Sequence, residues 1–231
     1  MDFIFSLMTF HWGRKPVQLG RDCDPGFHTF PADINEGWLA DFGLNLQHRA
    51  AELKPGGRMF AAFLGPLDEA SDLVGGNRFM AAIWMRNVEA TFVRLAAMDP
   101  SLLSADEALF VSRLCPQLVL NARQQCEAAA RHAPDLEVVQ TFALAAPCPY
   151  HARFLDDGDA EAWRSGALEA YLAVGQTAYT GMYGKLYPDR AARTQEFSDA
   201  LRAAMTAVFA DMSPQPAFPG TMNVLEVQRK Q

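Results

Sequence analysis

The sequence predicts an α/β fold with a helical lobe set into its frame, and three observations predict it. Two short apolar runs, Asp2–Met8 and Arg58–Leu64, lack helical spacing. A long amphipathic stretch, Glu36–Leu53, lies between them. A block of helical character from Asn77 to Ala133 then separates this opening from two further strand-like runs, Leu136–Ala143 and Met222–Val227.

The opening run is apolar at nearly every position, which fits a strand buried on both faces of a parallel sheet. Thr9–Trp12 is then the loop at its carboxyl end, and Gly13–Pro31, rich in Gly, Pro and Asp, reads as an irregular connection. In the next element Trp38, Phe42, Leu46, Ala50 and Leu53 recur at helical spacing on one face. Asn35 is its expected N-cap, and Glu36 suits the positive end of the helix dipole. Lys54-Pro55-Gly56-Gly57 stops it, because proline cannot continue a helix and glycine supplies positive φ. Strand, helix, tight turn and strand make a βαβ crossover, which implies a parallel pair. Helices are expected over about 78–97, 104–109, 121–132, 160–187 and 195–212, the last with Phe197, Leu201, Met205 and Phe209 on one face. The division expected is 1–76 as a partial core, 77–133 as a helical cap, and 134–231 as a return to the core with more helices and a terminal strand.

The 231 residues include 20 Lys+Arg and 27 Asp+Glu, a formal net charge of −7. That balance excludes a general nucleic-acid binder, which needs surplus cations for phosphate. Half the residues are hydrophobic, so a sizeable core is expected rather than disorder. Cys23, Cys115, Cys126 and Cys148 are scattered without a C-x-x-C pair, and read as reduced thiols, with one or two disulfides compatible. No apolar stretch is long enough to span a bilayer, and the N-terminus lacks a signal-peptide pattern. No membrane is therefore expected, and a cytoplasmic location is.

No G-x-G-x-x-G, G-x-x-x-x-G-K-[ST] or G-x-S-x-G motif occurs, and the five histidines show no metal-ligand spacing. His48 and His132 read as solvated positions on helix faces. Asp68, Glu69 and Asp72 read as a solvated loop. His11 and Trp12 are different, because ligands of open α/β sheets bind at the carboxyl ends of the strands. Two N–H donors on flat aromatic bodies there can hold a carboxylate and pack its carbon skeleton. On composition alone, the favoured reading of Trp12 is a core aromatic and that of His11 a surface donor.

Phe3-Ile4-Phe5-Ser6-Leu7-Met8-Thr9-Phe10-His11-Trp12 resembles the F-V-H-S-S-Y-S-L-H-W segment of the SABATH family of S-adenosylmethionine-dependent carboxyl methyltransferases. Phe42–Gly65 (FGLNLQHRAAELKPGGRMFAAFLG) is similar to that family's F-L-x-x-R-A-x-E-L-x-P-G-G-R-M-V-L-T-F-L-G, without a gap. Weaker similarity runs through Val88–Met98 and returns at Asn223-Val224-Leu225. The resemblance implies the C-terminal part of a Rossmann-like methyltransferase sheet with an inserted helical cap lobe. It implies S-adenosyl-L-methionine as cofactor, with Ser6 near it, and a small-molecule carboxylate as substrate, held by Trp12 and His11. Met8 stands where the family has a pocket tyrosine, so a hydroxyl is lost there. Asp24 loosely matches the family's N-K-G asparagine, which joins a magnesium site. The family's Phe-Asn metal contacts are not kept, since Phe110 is followed by Val111, and magnesium is not carried over.

The family's acidic Gly-rich loop after its first strand has no counterpart, and the chain opens on what corresponds to the fourth of seven strands. Three explanations stand: a fragment, a missing half supplied from elsewhere, or a decayed relative without cofactor. The expected function is O-methylation of a small-molecule carboxylate, which needs no strong general base because a carboxylate is already ionised at neutral pH. The alternative is a non-catalytic methyltransferase-like protein that binds a ligand or a partner chain through the exposed edge left by a half sheet, and a homodimer is compatible with either reading.

Overall fold

The computed structural model describes residues 1–7, 12–18, 32–64, 75–117, 120, 122–146, 148–214 and 220–231. Its strands are β1 (Phe3–Leu7), β2 (Trp12–Gln18), β3 (Arg58–Leu64), β4 (Leu114–Gln117), β5 (Leu136–Ala146) and β6 (Gly220–Arg229). Its helices are α1 (Ala32–Glu52), α2 (Gly75–Met98), α3 (Ala105–Ser112), α4 (Ala122–His132), α5 (Pro149–Asp157), α6 (Ala160–Leu186) and α7 (Thr194–Ala210), with a 3-10 turn at Pro188–Arg193. The fold class is α/β, as the apolar periodicities predict.

The described residues form two compact units. The first comprises Met1–Ala81, Cys115–Ala146 and Pro219–Gln231 and holds a four-stranded sheet in the order β1-β3-β6-β5. β1 and β3 are parallel, with Phe3 beside Arg58 and Leu7 beside Ala62. β6 runs antiparallel to both its neighbours, and a bulge shifts its register with β5 between Val138 and Gln140. α1 and α4 cover one face of this sheet. Trp38, Phe42, Leu46, Ala50 and Leu53 of the α1 segment pack there with Met59, Ala61, Leu225 and Val227. The amphipathic stripe read from the sequence is thus the stripe that is buried.

The turn between α1 and β3 is held by its glycines. Gly56 has φ +77°, and its N–H donates to the Arg229 carbonyl at 2.9 Å. A Cβ on Gly57 would stand 2.9 Å from both the Lys54 and Met1 carbonyl oxygens, so the chain passes there only without a side chain. The amino end of β1 is stitched to the same turn by Lys54 N–H to Met1 O and Arg58 N–H to Asp2 O.

The second unit comprises Ala82–Leu114 and Pro147–Phe218 and is helical. Phe92, Tyr179, Tyr183 and Phe197 centre one core, with Tyr183 stacked on Phe197 at 4.1 Å and 8°. Trp163, Tyr171 and Phe209 centre another. α3 starts with a reciprocal cap: the Ser104 hydroxyl accepts from Glu107 N–H, and Glu107 accepts from Ser104 N–H. Asp159 caps α6 by accepting from Glu161 and Ala162 N–H.

Several local expectations are corrected. β1 is not buried on both faces: Phe3 and Phe5 are 54% and 62% exposed on the face opposite α1. α1 begins at Ala32, so Asn35 lies inside it rather than capping it. The stretch expected as irregular begins with β2, which pairs with β4 in a two-stranded ribbon. Pro16 and Pro116 disguised both strands, and a ribbon made only of edges tolerates prolines that a central strand does not. α5 and the 3-10 turn were too short for periodicity to reveal. His132 is half-buried rather than solvated, because α4 crosses α1 at Gly43.

Candidate functional site

The βαβ crossover puts the carboxyl ends of the parallel pair β1 and β3 at one end of the sheet. In register, Leu7 lies beside Ala62, and β3 continues to Leu64 beside Met222 of β6. Ser6, one residue before the end of β1, is opposite Ala61 and buried at 9% exposure. Strand alternation puts Ser6 on the same face as Ile4, which packs into the core with α1. Asn223 of β6, opposite Phe63, is fully buried on that face too. Ser6 and Asn223 lie on strands flanking β3 and two residues out of level, hence about 12 Å apart by strand spacing and rise.

Trp12 does not lie in a free loop: it is the first residue of β2, and only its backbone is described. Met8, His11 and Asp24 lie outside the described residues. The structure therefore fixes the strand end before the aromatic segment and the ribbon after it, five residues from Leu7 to Trp12. Among the described residues, no group of three or more His, Cys, Asp and Glu comes together to hold a metal ion. Ser6 is the expected cofactor contact that the described residues include, and it lies near the carboxyl end of β1.

Sequence reasoning missed a polar cluster on the opposite face of the sheet. Glu226 of β6 is 2% exposed, and its two carboxylate oxygens accept from Arg58 Nη1 at 2.9 Å and Gln140 Nε2 at 2.6 Å. Each partner lies on a neighbouring strand, so the three residues tie β3, β6 and β5 together. The charge is buried because both oxygens are satisfied. The one sign of it in the sequence is an acidic residue within the apolar run Val224-Leu225-Glu226-Val227. At the amino end of β1, the Lys54 ammonium holds the Asp2 carboxyl below its ordinary pKa, chiefly through its hydrogen bond. That ion pair lies at the end of β1 away from the aromatic segment.

No protein-family model matches the chain, and no curated protein matches it in sequence. Among solved structures it is similar to loganic acid methyltransferase with SAH, at a TM-score of 0.64 and 15% sequence identity. The fold is methyltransferase-like. The similarity covers 100% of this chain and 62% of the other, so the chain spans less than two thirds of that protein. In this methyltransferase-like fold the four strands form a mixed sheet with one reversed strand, β6, between two that run the other way. No helix among the described residues is long and apolar enough to cross a membrane.

Proposed function

We propose that the chain is the carboxylate-holding part of an S-adenosylmethionine-dependent O-methyltransferase of the SABATH type, acting on a small-molecule carboxylate. The observation that carries this reading is the crossover itself. The segment whose sequence resembles the family, from Phe3 to Trp12 and from Phe42 to Gly65, contains the parallel pair, and the fold is shared with a methyltransferase solved with SAH. The chain corresponds to 62% of that protein, so the whole reaction is proposed for the complete enzyme and the substrate grip for this part.

In this reading Trp12 and His11 donate to the substrate carboxylate, which is ionised at neutral pH and needs no base to become a nucleophile. Their work is orientation, which lowers the barrier by fixing the attacking oxygen. Met8 sets the apolar wall beside it. Ser6 is the candidate contact for the cofactor. A relative without catalysis, binding a carboxylate through the same aromatic pair, is the second reading.

Titration calorimetry with loganate, benzoate and S-adenosylmethionine, followed by an assay for methyl ester, separates the readings. Binding of a carboxylate and of the cofactor, with ester formed, is the expected result. Carboxylate binding without cofactor binding favours the second reading. A folded protein that binds none of them overturns both.

A further inference from the structure

We propose that Arg14 is a specificity-determining residue, selecting substrates that carry a second anionic group beside the carboxylate assigned to His11 and Trp12. A small dicarboxylate is the simplest such molecule. The proposal rests on the carboxylate-holding reading above and deepens it. The backbone of the segment supplies the placement. β2 begins at Trp12, so the aromatic donor opens a strand instead of lying within an irregular loop. Strand residues alternate between two faces, which puts Trp12, Arg14, Pro16 and Gln18 on one face of β2 and Gly13, Lys15 and Val17 on the other. Arg14 is the one cation of β2 on the face of Trp12. A single strand repeat, about 7 Å, separates the Cα atoms of the two residues.

The charge of the segment argues for an anion. The chain has 27 Asp+Glu against 20 Lys+Arg, yet from Phe3 to Arg21 it holds Arg14, Lys15 and Arg21 and no acidic residue. β4, the strand paired with β2, reads Leu-Cys-Pro-Gln and adds no charge. A cationic ribbon in an acidic protein raises the local concentration of anions. The geometry of guanidinium then decides which anion. Its planar fork matches both oxygens of a carboxylate, whereas an ammonium acts as a point charge. On the reacting carboxylate such a fork would engage the lone pairs that the reaction needs. A single N–H from an aromatic ring orients that carboxylate and leaves lone pairs free. Arg14 therefore suits the second anion, at the other end of a short substrate, where tight pairing does not hinder the reaction.

Titration calorimetry of the chain with two matched probes tests this: isophthalate, and 3-carbamoylbenzoate, which keeps the size and loses the second charge. Wild type is expected to prefer isophthalate by about ten-fold or more, as a charge-assisted bond implies. Arg14→Gln is expected to bring the ratio of the two affinities close to one, and Arg14→Lys to restore part of it. Lys15→Gln, on the other face of β2, is expected to keep the preference, and Trp12→Phe to weaken both probes alike. Circular dichroism checks that each variant folds. A wild-type chain that binds both probes equally overturns the role of Arg14 and leaves the carboxylate-holding reading standing. A preference that survives Arg14→Gln, or that Lys15→Gln removes to the same degree, overturns the role as well. A folded wild-type chain that binds neither probe overturns the reading itself and this proposal with it.

Discussion

Trp12 carries the proposed chemistry through one N–H, and the size of its effect can be set in advance. A hydrogen bond to a charged group is worth about 1.5–3 kcal/mol, so Trp12→Phe, which keeps one aromatic ring but loses the N–H and part of the indole surface, is expected to weaken carboxylate binding by about ten-fold or more. Calorimetry reads this directly, and His48→Ala, at an exposed position on α1, should leave affinity unchanged. His132 would make a poor control, because it packs on Gly43. A second residue-scale expectation concerns Glu107. Arg190 holds both its carboxylate oxygens at 3.0 Å, and that hydrogen bonding, before burial and the Ser104 contacts, sets its carboxyl below the ordinary 4.5. A depressed folded pKa means that the unfolded chain takes up the proton first as the solution is acidified. The contribution to stability is therefore whole above the ordinary value and is lost as pH falls through the depressed one. Both partners are a quarter to a third exposed, so screening limits the loss in Glu107→Gln to about 1 kcal/mol at neutral pH. Urea titrations at neutral and acid pH should show the difference from wild type shrinking toward zero at the acid end. At this scale the turn glycines were legible in the sequence, because a tight turn needs only residues a few positions apart, whereas the cap expected at Asn35 lies inside α1. The pairing of Arg58 with Glu226 was not, since 168 positions separate the two residues and only the sheet brings them together.

At the scale of elements, α1 and α4 meet through a position that admits no side chain. A Cβ on Gly43 would fall 2.2 Å from His132 Cβ, and Gln47 Nε2 donates to the His132 carbonyl beside it. Gly43→Ala is expected to cost about 1–3 kcal/mol in overpacking, set against a gain of about 1 kcal/mol in helix propensity. The net loss should appear as a lower urea midpoint, and adding His132→Gly should recover part of it. Elements with strong periodicity, α1 and α7 among them, could be read locally, since each buries a stripe that its own sequence displays. β2 and β4 could not, because a strand of four to seven residues with a proline has no local signature until its partner is present. β1 was read as a strand buried on both faces, whereas Phe3 and Phe5 are exposed, because the layer packed on each face is a property of the sheet rather than of the run.

For the whole molecule, the two units have separate hydrophobic clusters, one around Met59 and Leu225 and the others around Phe197 and Trp163. Leu225→Ala is expected to cost about 2–5 kcal/mol through the cavity it leaves, and Phe197→Ala about 3–5 kcal/mol. Hydrogen exchange should locate each loss in its own unit: amides of α1, β3 and β6 for the first, and of α6 and α7 for the second. Equal loss of protection everywhere would show the units to be one cooperative body. The sequence by itself determined the α/β class, the parallel crossover, the tight turn at Gly56-Gly57 and the helical stripes, because spacing, capping and turn chemistry act over a few residues. Only the tertiary structure decided that Phe3 and Phe5 stand exposed on one face of β1, that a buried glutamate ties three strands, and that each unit is assembled from separated stretches of chain. Those features depend on contacts that cost loop-closure entropy to form, and no local pattern records which distant partner repays it.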